Sequence, residues 1–432
     1  MEKFVIGGGK ALSGKIKVSG AKNSALKLIA ASILADSRII LRNVPAIEDV
    51  NIMLEMLKTL GAGVDVDREK KVIEINPESI ESNEAPYDLV RKMRASILVA
   101  GPLLSKYGNV KVAIPGGCNI GSRHIDLHVK GFEKLGAVYS VEHGYVNCRT
   151  DSRSAGGRLS GAEINLEFPS RGATENIMMA SALAEGQTVI RNAAREPEII
   201  DLACYLNSMG AEIEGAGTGC VRINGVKSLK GTDYEVMPDS IEAGTFITAG
   251  ALCGDGIEIE NARLKNLKIF YDKLKAIGVN ISAIDENNIK VEKPLDKYRP
   301  TNISTLPYPG FPTDLQPIIT VLLSIVPGVS VLTENVFENR FMYVDELNRM
   351  GTNIKIDGHR ALIKGVGKLS GAPVRSFDLR AGAAMVLAGL AAEGYTEVSD
   401  IYHIKRGYED IEAKLRSVGA DIRIEEQGGE KN

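Results

Sequence analysis

The sequence predicts an α/β protein of two domains, each built from three copies of one unit of helices and strands. An apolar helix that ends in a residue-Gly-Ala-like turn occurs six times, and a short alternating strand follows each turn. The turns are also almost evenly spaced, since successive turn glycines are 75, 74, 68, 73 and 68 residues apart, at Gly61, Gly136, Gly210, Gly278, Gly351 and Gly419. Such a period is typical of one structural unit repeated along a chain.

The first copy shows why each element should form. In residues 51–60 apolar side chains recur at the spacing i, i+3/4, i+7, which predicts an amphipathic helix. Gly61 then stands where a helix C-terminus favours a left-handed residue, a conformation that glycine adopts without a Cβ clash. Val64 and Val66 alternate with polar residues, so a half-buried strand follows. Because another apolar stretch and strand precede each helix, a unit has about two helices and three or four strands in one sheet.

Composition limits the class of protein. The 432 residues are 44% hydrophobic, which suffices for two sizeable cores, and the six units divide most simply near Met237 and Pro238. A net charge of −3 provides no overall field for nucleic acid or an anionic membrane. We expect a cytoplasmic protein, since no stretch resembles a signal peptide or a membrane span. The five cysteines are scattered and outside CxxC spacing, and the five histidines lack metal-ligand spacing, so neither a disulfide framework nor a metal site is expected.

The N-terminus contains a near match to a phosphate-binding loop. Gly9, Gly14 and Lys15 have the required spacing, but Ile16 stands where Ser or Thr is needed to hold magnesium. Similar glycines recur in the repeats, at residues 159–162 and 369–372. These glycines therefore predict turns into strands.

Residues 115–128 depart most clearly from the repeat. One proline and three glycines fill an interval between strand and helix that is much shorter in the first unit, which predicts a mobile functional loop. Cys118 lies in this loop near Arg123 and His124, and exposed cysteines beside positive charge are the reactive ones. The alternative is a small buried side chain. That alternative is our prediction for the other cysteines, Cys148, Cys204, Cys220 and Cys253.

Basic residues recur at the starts of predicted elements. They are Lys22, which is followed by Asn23, and Arg94, Arg123, Arg340, Arg380 and Arg406. Together with helix N-termini they could hold a small polyanion between the two domains. Asp314 is a lone carboxylate in a Pro/Gly loop before a helix, and both a helix N-cap and a catalytic role remain open for it.

These stretches resemble the UDP-N-acetylglucosamine 1-carboxyvinyltransferases, a family of enolpyruvyl transferases, nearly from end to end. The most specific are Pro-Gly-Gly-Cys at 115–118 and Tyr-Pro-Gly-Phe-Pro-Thr-Asp at 308–314. The others are Gly-Ala-Lys-Asn-Ser at 20–24, Met-Arg-Ala-Ser at 93–96, Ala-Ala-Arg-Glu-Pro-Glu at 193–198, Glu-Asn-Arg-Phe-Met at 338–342, Asp-Leu-Arg at 378–380 and Ile-Tyr-His-Ile-Lys-Arg-Gly-Tyr at 401–408.

The resemblance implies two inside-out α/β barrels, each of three βαβαββ repeats, with the active site in the interdomain cleft. Residues 22–237 would form the first barrel, which carries the cysteine loop. Residues 1–21 and 238–432 would form the second. The implied reaction moves the enolpyruvyl group of phosphoenolpyruvate to the 3′-hydroxyl of UDP-N-acetylglucosamine and releases phosphate, without a metal or organic cofactor.

The resemblance also implies residue roles. Lys22, Arg123 and Arg406 would bind the donor phosphate, with Asn23 and Arg380 nearby. Cys118 would protonate the methylene carbon of the donor, and Asp314 would act on the sugar hydroxyl. The implied nucleotide-sugar contacts are Arg94, Arg123, His124, Ile125, Asp126, Leu127, Ser170 and Val336. Phe168 and Arg171 stand where some family members have lysine and valine, so the resemblance assigns no uridine contact to these two side chains.

There are two alternative functions. One is enolpyruvyl transfer to a different acceptor, and the other is ligand binding without catalysis. The shikimate-pathway enolpyruvyl transferase would share the barrels and the donor, but its Asn-Ala-Gly-Thr signature is replaced here by Met-Arg-Ala-Ser at 93–96. A catalytically silent, ligand-binding paralogue would be expected to have lost Lys22, Cys118 or Asp314, and all three are present.

Overall fold

A computed structural model describes residues 2–114, 125–151 and 157–426 of the chain. Contacts between residues divide these into two compact units. The continuous unit begins at Gly20 and ends at Met237, and the split unit combines residues 2–19 with residues 238–426. Both contain helices and strands, so the α/β class predicted from the sequence is confirmed.

The elements follow one another along the chain in three segments. The first segment of the split unit forms two strands, β1 (Glu2–Gly7) and β2 (Leu12–Lys17). The continuous unit forms α1 (Lys22–Ala31), β3 (Ile39–Arg42), α2 (Glu48–Leu60), β4 (Gly63–Asp67), β5 (Val72–Asn76), β6 (Glu84–Ala85), α3 (Tyr87–Val90), α4 (Ala100–Tyr107), β7 (Asn109–Ala113), α5 (Asp126–Lys134), β8 (Ala137–Glu142), β9 (Tyr145–Thr150), β10 (Glu163–Asn165), α6 (Arg171–Ser181), β11 (Gln187–Arg191), α7 (Pro197–Ser208), β12 (Glu212–Glu214), β13 (Cys220–Asn224) and β14 (Asp233–Glu235).

The second segment of the split unit forms α8 (Ser240–Cys253), β15 (Gly254–Glu260), α9 (Lys268–Ile277), β16 (Asn280–Ala283), β17 (Ile289–Glu292), β18 (Ile303–Ser304), α10 (Gln316–Ile325), β19 (Val329–Thr333), α11 (Val344–Arg349), β20 (Asn353–Asp357), β21 (Arg360–Lys364), β22 (Leu369–Ser370), β23 (Pro373–Arg375), α12 (Leu379–Ala391), β24 (Ala392–Glu393), β25 (Tyr395–Ser399), α13 (Tyr402–Lys405), α14 (Ile411–Ser417) and β26 (Asp421–Glu426). Short 3₁₀ helices occur at Ser32–Leu34, Arg94–Val99, Leu264–Leu267 and Thr313–Leu315.

The described part of the continuous unit contains three four-stranded sheets, with strand orders β14-β3-β5-β4, β6-β7-β9-β8 and β10-β11-β13-β12. In each sheet the first pair is parallel and the other two pairs are antiparallel. Strand β14 comes from the end of the unit and pairs with β3 near its beginning, with Asp233 opposite Ile40. The third copy of the repeat is therefore joined to the first.

The split unit has the same plan. Its described four-stranded sheets have the orders β16-β17-β15-β2, β18-β19-β21-β20 and β23-β25-β1-β26, and β22 pairs with β24. The N-terminal strand β1 lies between β25 and β26 and is antiparallel to both, while β2 is parallel to β15. The first residues of the chain thus complete two sheets of a unit that is otherwise made by residues 238–426.

The predicted turn glycines have the predicted conformation. All six have positive φ, between +89° and +107°, in the left-handed region. At Gly61, the C-cap of α2, an added Cβ would also lie 2.6 Å from the Ser79 carbonyl oxygen. The repeat prediction is confirmed by these six turns and by the six four-stranded sheets of the described chain.

Three helices of the split unit, α8, α10 and α12, pack together, and nearly all of their residues are buried. Helices that are apolar on every side have to be buried in this way. The sheets keep one face partly in solvent, as the alternation of exposed and buried residues along β21 shows.

Two smaller predictions can be compared with the structure. The glycines near the N-terminus do lead into a strand, since Gly14 and Lys15 lie in β2 and Lys15 pairs with Glu258 at 2.7 Å. Among the described helices, none combines the length and the apolar character that crossing a membrane requires.

The predicted burial of the cysteines is only partly correct. Cys148, in β9, is buried, and Cys220 and Cys253 are partly buried. Cys204 is exposed, so that prediction was wrong. It lies on the same outer face of α7 as the exposed Ile200, one helical turn earlier.

Candidate active site

The continuous unit holds Lys22 in an ion pair. Lys22 is the first residue of α1, and its Nζ lies 2.5 Å from Oδ2 of Asp49. The Asp49 side chain is only 2% exposed and stands in the first turn of α2, where the helix dipole favours a negative charge. Asn23 follows Lys22 and is half-buried. Lys22, a candidate for binding the donor phosphate, therefore has its ammonium group held in place at the start of a helix.

The described residues of this unit that are expected to contact the nucleotide sugar lie on three elements. Arg94 begins the 3₁₀ helix Arg94–Val99. Ile125 immediately precedes α5, and Asp126 and Leu127 are its first two residues. Ser170 is the N-cap of α6, and its hydroxyl accepts a hydrogen bond from the Ala173 amide at 3.3 Å.

One buried carboxamide joins these three elements. Asn176, in α6, donates through Nδ2 to the Ile97 carbonyl oxygen and to Nδ1 of His128, both at 2.9 Å. Its Oδ1 accepts from the Gly101 amide at 2.7 Å. Burial, and secondarily the charge of Arg94, lower the pKa of His128 to about 4. His128 is therefore neutral near pH 7 and can accept at Nδ1, so the contact positions α5 relative to α6.

A buried ion pair connects α1 to α6. Lys27 Nζ lies 2.6 Å from Oε1 of Glu175, and the two side chains are 5% and 2% exposed. Burial raises the pKa of Glu175 to about 7, although Lys27 acts in the opposite direction. Burial also raises the pKa of Asp201, which accepts hydrogen bonds from Ser24 and from the Tyr234 hydroxyl. Helix α1 is thus fastened through polar side chains on the turns that follow Lys22.

In the split unit, Asp314 lies between two arginines. It belongs to the 3₁₀ helix Thr313–Leu315, with Oδ1 3.2 Å from Nη2 of Arg340 and Oδ2 3.5 Å from Nη2 of Arg380. Arg340 and Arg380 are almost completely buried. The helix-cap alternative is wrong, because Pro312 is the N-cap of this turn and Leu315 that of α10, neither through a side-chain hydrogen bond.

Arg380 is fixed at the start of α12. The Asp378 carboxylate caps this helix by accepting from the Arg380 and Ala381 amides at 2.8 and 3.0 Å. The guanidinium lies 5.2 Å from the centre of the Tyr408 ring. Within the described residues, Nε and Nη1 of Arg380 have no hydrogen-bond partner. Donor groups in a buried, positively charged site are suited to an anion.

The remaining candidate site residues are divided between the split unit and segments outside the described residues. Arg406, the C-cap of α13, is half-buried, and the Val336 amide donates to Glu334 at 2.8 Å. Cys118, Arg123 and His124 lie outside the described residues. Over the ranges that are described, no group of His, Cys, Asp and Glu side chains could hold a metal ion.

Three residues with specific contacts in these regions were not predicted as site residues. Arg340 was predicted only as one of several basic residues that could hold a polyanion, and its contact with Asp314 was not foreseen. Asp49, Asn176 and Glu334 gave no signal in the sequence. Their importance depends on burial and on partners from distant parts of the chain, which no local pattern reveals.

Comparison with known proteins identifies the family. A sequence model described as EPSP synthase (3-phosphoshikimate 1-carboxyvinyltransferase) matches residues 6–415. The chain belongs to the EPSP synthase family. Within this family, UDP-N-acetylglucosamine 1-carboxyvinyltransferase 1 of Caldanaerobacter subterraneus subsp. tengcongensis is 52% identical over 420 residues, which cover 97% of this chain and 99% of that protein. UDP-N-acetylglucosamine 1-carboxyvinyltransferase 2 of Carboxydothermus hydrogenoformans is 52% identical over 422 residues, with 98% and 99% coverage.

Two solved structures have the same fold as this chain. The enolpyruvyl transferase NikO from Streptomyces tendae superposes with a TM-score of 0.88 at 25% identity and covers 98% of each chain. An EPSP synthase from Acinetobacter baumannii gives a TM-score of 0.76 at 18% identity, with 99% and 100% coverage. This chain is thus an enzyme of the EPSP synthase family, with its higher sequence identity to the UDP-N-acetylglucosamine 1-carboxyvinyltransferases.

Proposed function

We propose that the protein transfers the enolpyruvyl group of phosphoenolpyruvate to the 3′-hydroxyl of UDP-N-acetylglucosamine and releases phosphate, the first committed step of peptidoglycan precursor synthesis in the cytoplasm. The observation that carries the proposal is the 52% identity, over 97% of the chain, to an enzyme named for this acceptor. The placement of Asp314 between two buried arginines supports it, since the reaction needs a base beside an anion site.

We also propose that each unit is an inside-out barrel of three βαβαββ repeats, with helices at its centre. The mutual packing of α8, α10 and α12, with sheets partly exposed, supports this architecture in the split unit. In the continuous unit the pairing of β14 with β3 supports it, because that pair joins the last repeat to the first. The barrels would be residues 22–237 and residues 1–21 with 238–432, close to the division between Ser19 and Gly20 that the contacts give.

The chemistry fits the proposed residues. The sugar oxygen attacks C2 of the donor while C3 gains a proton, which gives a tetrahedral ketal. Phosphate then leaves C2 as C3 loses a proton, and the enol ether forms. Cys118 supplies the proton to C3, since a thiol with a pKa near 8.5 is mostly protonated at neutral pH. Asp314 accepts the proton of the sugar hydroxyl.

The donor is held by charge. Lys22, Asn23, Arg123, Arg380 and Arg406 surround its phosphate and carboxylate with charge-assisted hydrogen bonds, each worth about 1.5–3 kcal/mol. The acceptor is held by Arg94, residues 123–127, Ser170 and Val336. No metal or organic cofactor takes part in this proposal.

Arg380 has two tasks in this proposal. In the described structure its Nη2 faces Asp314, while Nε and Nη1 have no hydrogen-bond partner among the described residues. An anionic donor that engages Nε and Nη1 of Arg380 would therefore lie next to the proposed base, Asp314.

The decisive assay measures phosphate release from phosphoenolpyruvate. We expect release with UDP-N-acetylglucosamine and none without an acceptor. Shikimate 3-phosphate is the control acceptor, because it is the substrate of the shikimate-pathway alternative. Release with that acceptor alone would show that the alternative is correct. No release with either acceptor would favour the silent paralogue.

A further inference from the structure

A buried carboxylate links the segment that carries Val336 to the turn that carries Asp314. Glu334 follows β19 directly and is only 3% exposed. Its own amide donates to the His359 carbonyl oxygen at 2.8 Å, which continues the sheet for one more residue. The backbone of Glu334 is therefore fixed to the sheet, and its side chain extends from a rigid support.

The Glu334 carboxylate accepts four hydrogen bonds. Oε1 accepts from the Val336 amide and the Thr305 hydroxyl at 2.8 Å each, and from the Phe337 amide at 3.2 Å. Oε2 accepts from the Thr313 hydroxyl at 3.0 Å. One oxygen thus holds the Val336 segment and the other holds the residue before Asp314.

These contacts close a ring around Asp314. The Phe337 ring lies 5.8 Å from the guanidinium carbon of Arg340, and Arg340 reaches Oδ1 of Asp314 at 3.2 Å. Starting from Glu334, one path runs through Thr313 to Asp314, and the other runs through Phe337 and Arg340 to the same carboxylate. Asp314 is therefore positioned from both sides by one buried acid.

All four donors to Glu334 are neutral groups, two hydroxyls and two amides. Such donors fix the orientation of a buried carboxylate. Because these donors are neutral, a glutamine side chain could make similar hydrogen bonds in place of Glu334. A glutamine oxygen can accept the three bonds of Oε1, and its NH₂ can donate to the Thr313 hydroxyl, which can act as acceptor as well as donor.

We propose that Glu334 is a positioning residue that couples the nucleotide-sugar segment at Val336 to the orientation of the base Asp314. Its Oε1 side sets acceptor affinity, and its Oε2 side sets the rate of the chemical step through Thr313. The inference rests on the proposed function, because it names the residue that aligns the proposed base with the proposed acceptor contact.

Thr313→Val is the first test, since it removes only the contact to Oε2. We expect kcat for phosphate release to fall by about tenfold or more, because small displacements of a catalytic group cost large factors in rate. The Kd for UDP-N-acetylglucosamine, measured by calorimetry, should stay within about twofold, because the three contacts to Oε1 remain.

Substitution of Glu334 itself is the second test. Glu334→Ala removes both sides, so kcat should fall by about 100-fold and the Kd for the nucleotide sugar should rise by about tenfold. Glu334→Gln should recover both quantities to within about threefold of the wild-type protein. Recovery by glutamine separates positioning by hydrogen bonds from a need for the negative charge.

Thr352→Val is the matched control. The Thr352 hydroxyl also donates to a side-chain oxygen, Oδ1 of Asn348, at 2.8 Å. The register of β19, β20 and β21 places it at the opposite end of this sheet from Glu334, about 20 Å away along six residues of strand. It should keep wild-type kcat and Kd, and equal thermal unfolding of the two threonine variants would exclude a general loss of stability.

Three results would overturn the inference. They are a Thr313→Val variant as fast as Thr352→Val, unchanged nucleotide-sugar binding in Glu334→Ala, and a Glu334→Gln variant as impaired as Glu334→Ala. A wild-type protein that binds the nucleotide sugar without releasing phosphate would refute the proposed function alone, and binding by Glu334→Ala would still decide the inference. Absence of both binding and turnover would refute the function and the inference together.

Discussion

The buried pair of Lys27 and Glu175 should make the stability of the protein fall as pH rises from about 4.5 to about 7. Burial raises the pKa of Glu175 from its ordinary 4.5 to about 7. Below pH 4.5 this carboxyl is mostly protonated in both the folded and the unfolded chain, so its titration does not change the free energy of unfolding. Between 4.5 and 7 the unfolded chain releases the proton while the folded protein keeps it, and folding loses free energy with each step in pH.

The magnitude follows from the difference between the two pKa values. At about 1.4 kcal/mol for each pKa unit, the rise to about 7 corresponds to about 3 kcal/mol in full. Most of this loss falls between pH 5 and pH 8, since the unfolded chain is already partly ionised at the lower value. Such a loss is a sizeable fraction of the usual stability of a folded protein.

The double variant Lys27→Met with Glu175→Gln removes both charges at similar volume. Replacing a buried ion pair by neutral side chains is often neutral or stabilising, so the variant should fold. We expect the free energy of unfolding of the wild-type protein, relative to this variant, to decrease by roughly 2 to 3 kcal/mol from pH 5 to pH 8. Guanidinium denaturation followed by far-UV circular dichroism measures it, and the chain has no tryptophan whose fluorescence could serve instead.

The control is the ion pair of Lys111 and Glu84 in the same unit. These side chains are 3.1 Å apart but 42% and 43% exposed, so water screens their interaction. Lys111→Met with Glu84→Gln should therefore leave the pH dependence unchanged. A constant difference in unfolding free energy between the wild-type protein and the Lys27/Glu175 variant, from pH 5 to pH 8, would refute the reasoning.

Other variants test the site more directly. Cys118→Ala should lower turnover by roughly 10²–10⁴, the usual contribution of a positioned acid, and Cys118→Asp should retain more activity because a carboxylic acid can replace the thiol; steady-state phosphate release measures both, and equal rates would contradict the role. Asp314→Asn should bind UDP-N-acetylglucosamine almost normally but form the ketal slowly, which calorimetry and single-turnover kinetics compare. Asn176→Ala should weaken nucleotide-sugar binding while the KM for phosphoenolpyruvate stays nearly constant, because its hydrogen bonds join the elements of Arg94, Asp126 and Ser170; a parallel loss of donor use would point to a general folding defect.

The sequence revealed those parts of the fold that depend on local requirements. The turn at Gly61 needs a left-handed residue, so glycine marks it in each repeat. Two of the parallel edge pairs, β14 with β3 and β2 with β15, were not predicted, because each joins segments that are distant in sequence. Strand β14, for example, pairs with β3 nearly 200 residues earlier, and nothing in residues 233–235 indicates that partner.

The same distinction applies to the site. Lys22, Asp314 and Arg380 stand in stretches that resemble a known family, and the structure places the last two beside each other. Asp49 and Glu334 are ordinary acidic residues in the sequence, where a buried carboxylate cannot be told from one on the surface. Only the donors gathered around them show their roles, and those donors come from several separate segments.

The position of β1 has a consequence for how the protein is made. Glu2 pairs with Glu426, and β1 lies between β25 and β26, which the ribosome adds nearly 400 residues later. At about 5–20 residues per second, roughly ten to forty seconds pass between the completion of residue 237 and that of β26. The continuous unit can fold in this interval. Strand β1, which is largely apolar, must remain unpaired until β25 and β26 have been made and it can join its sheet.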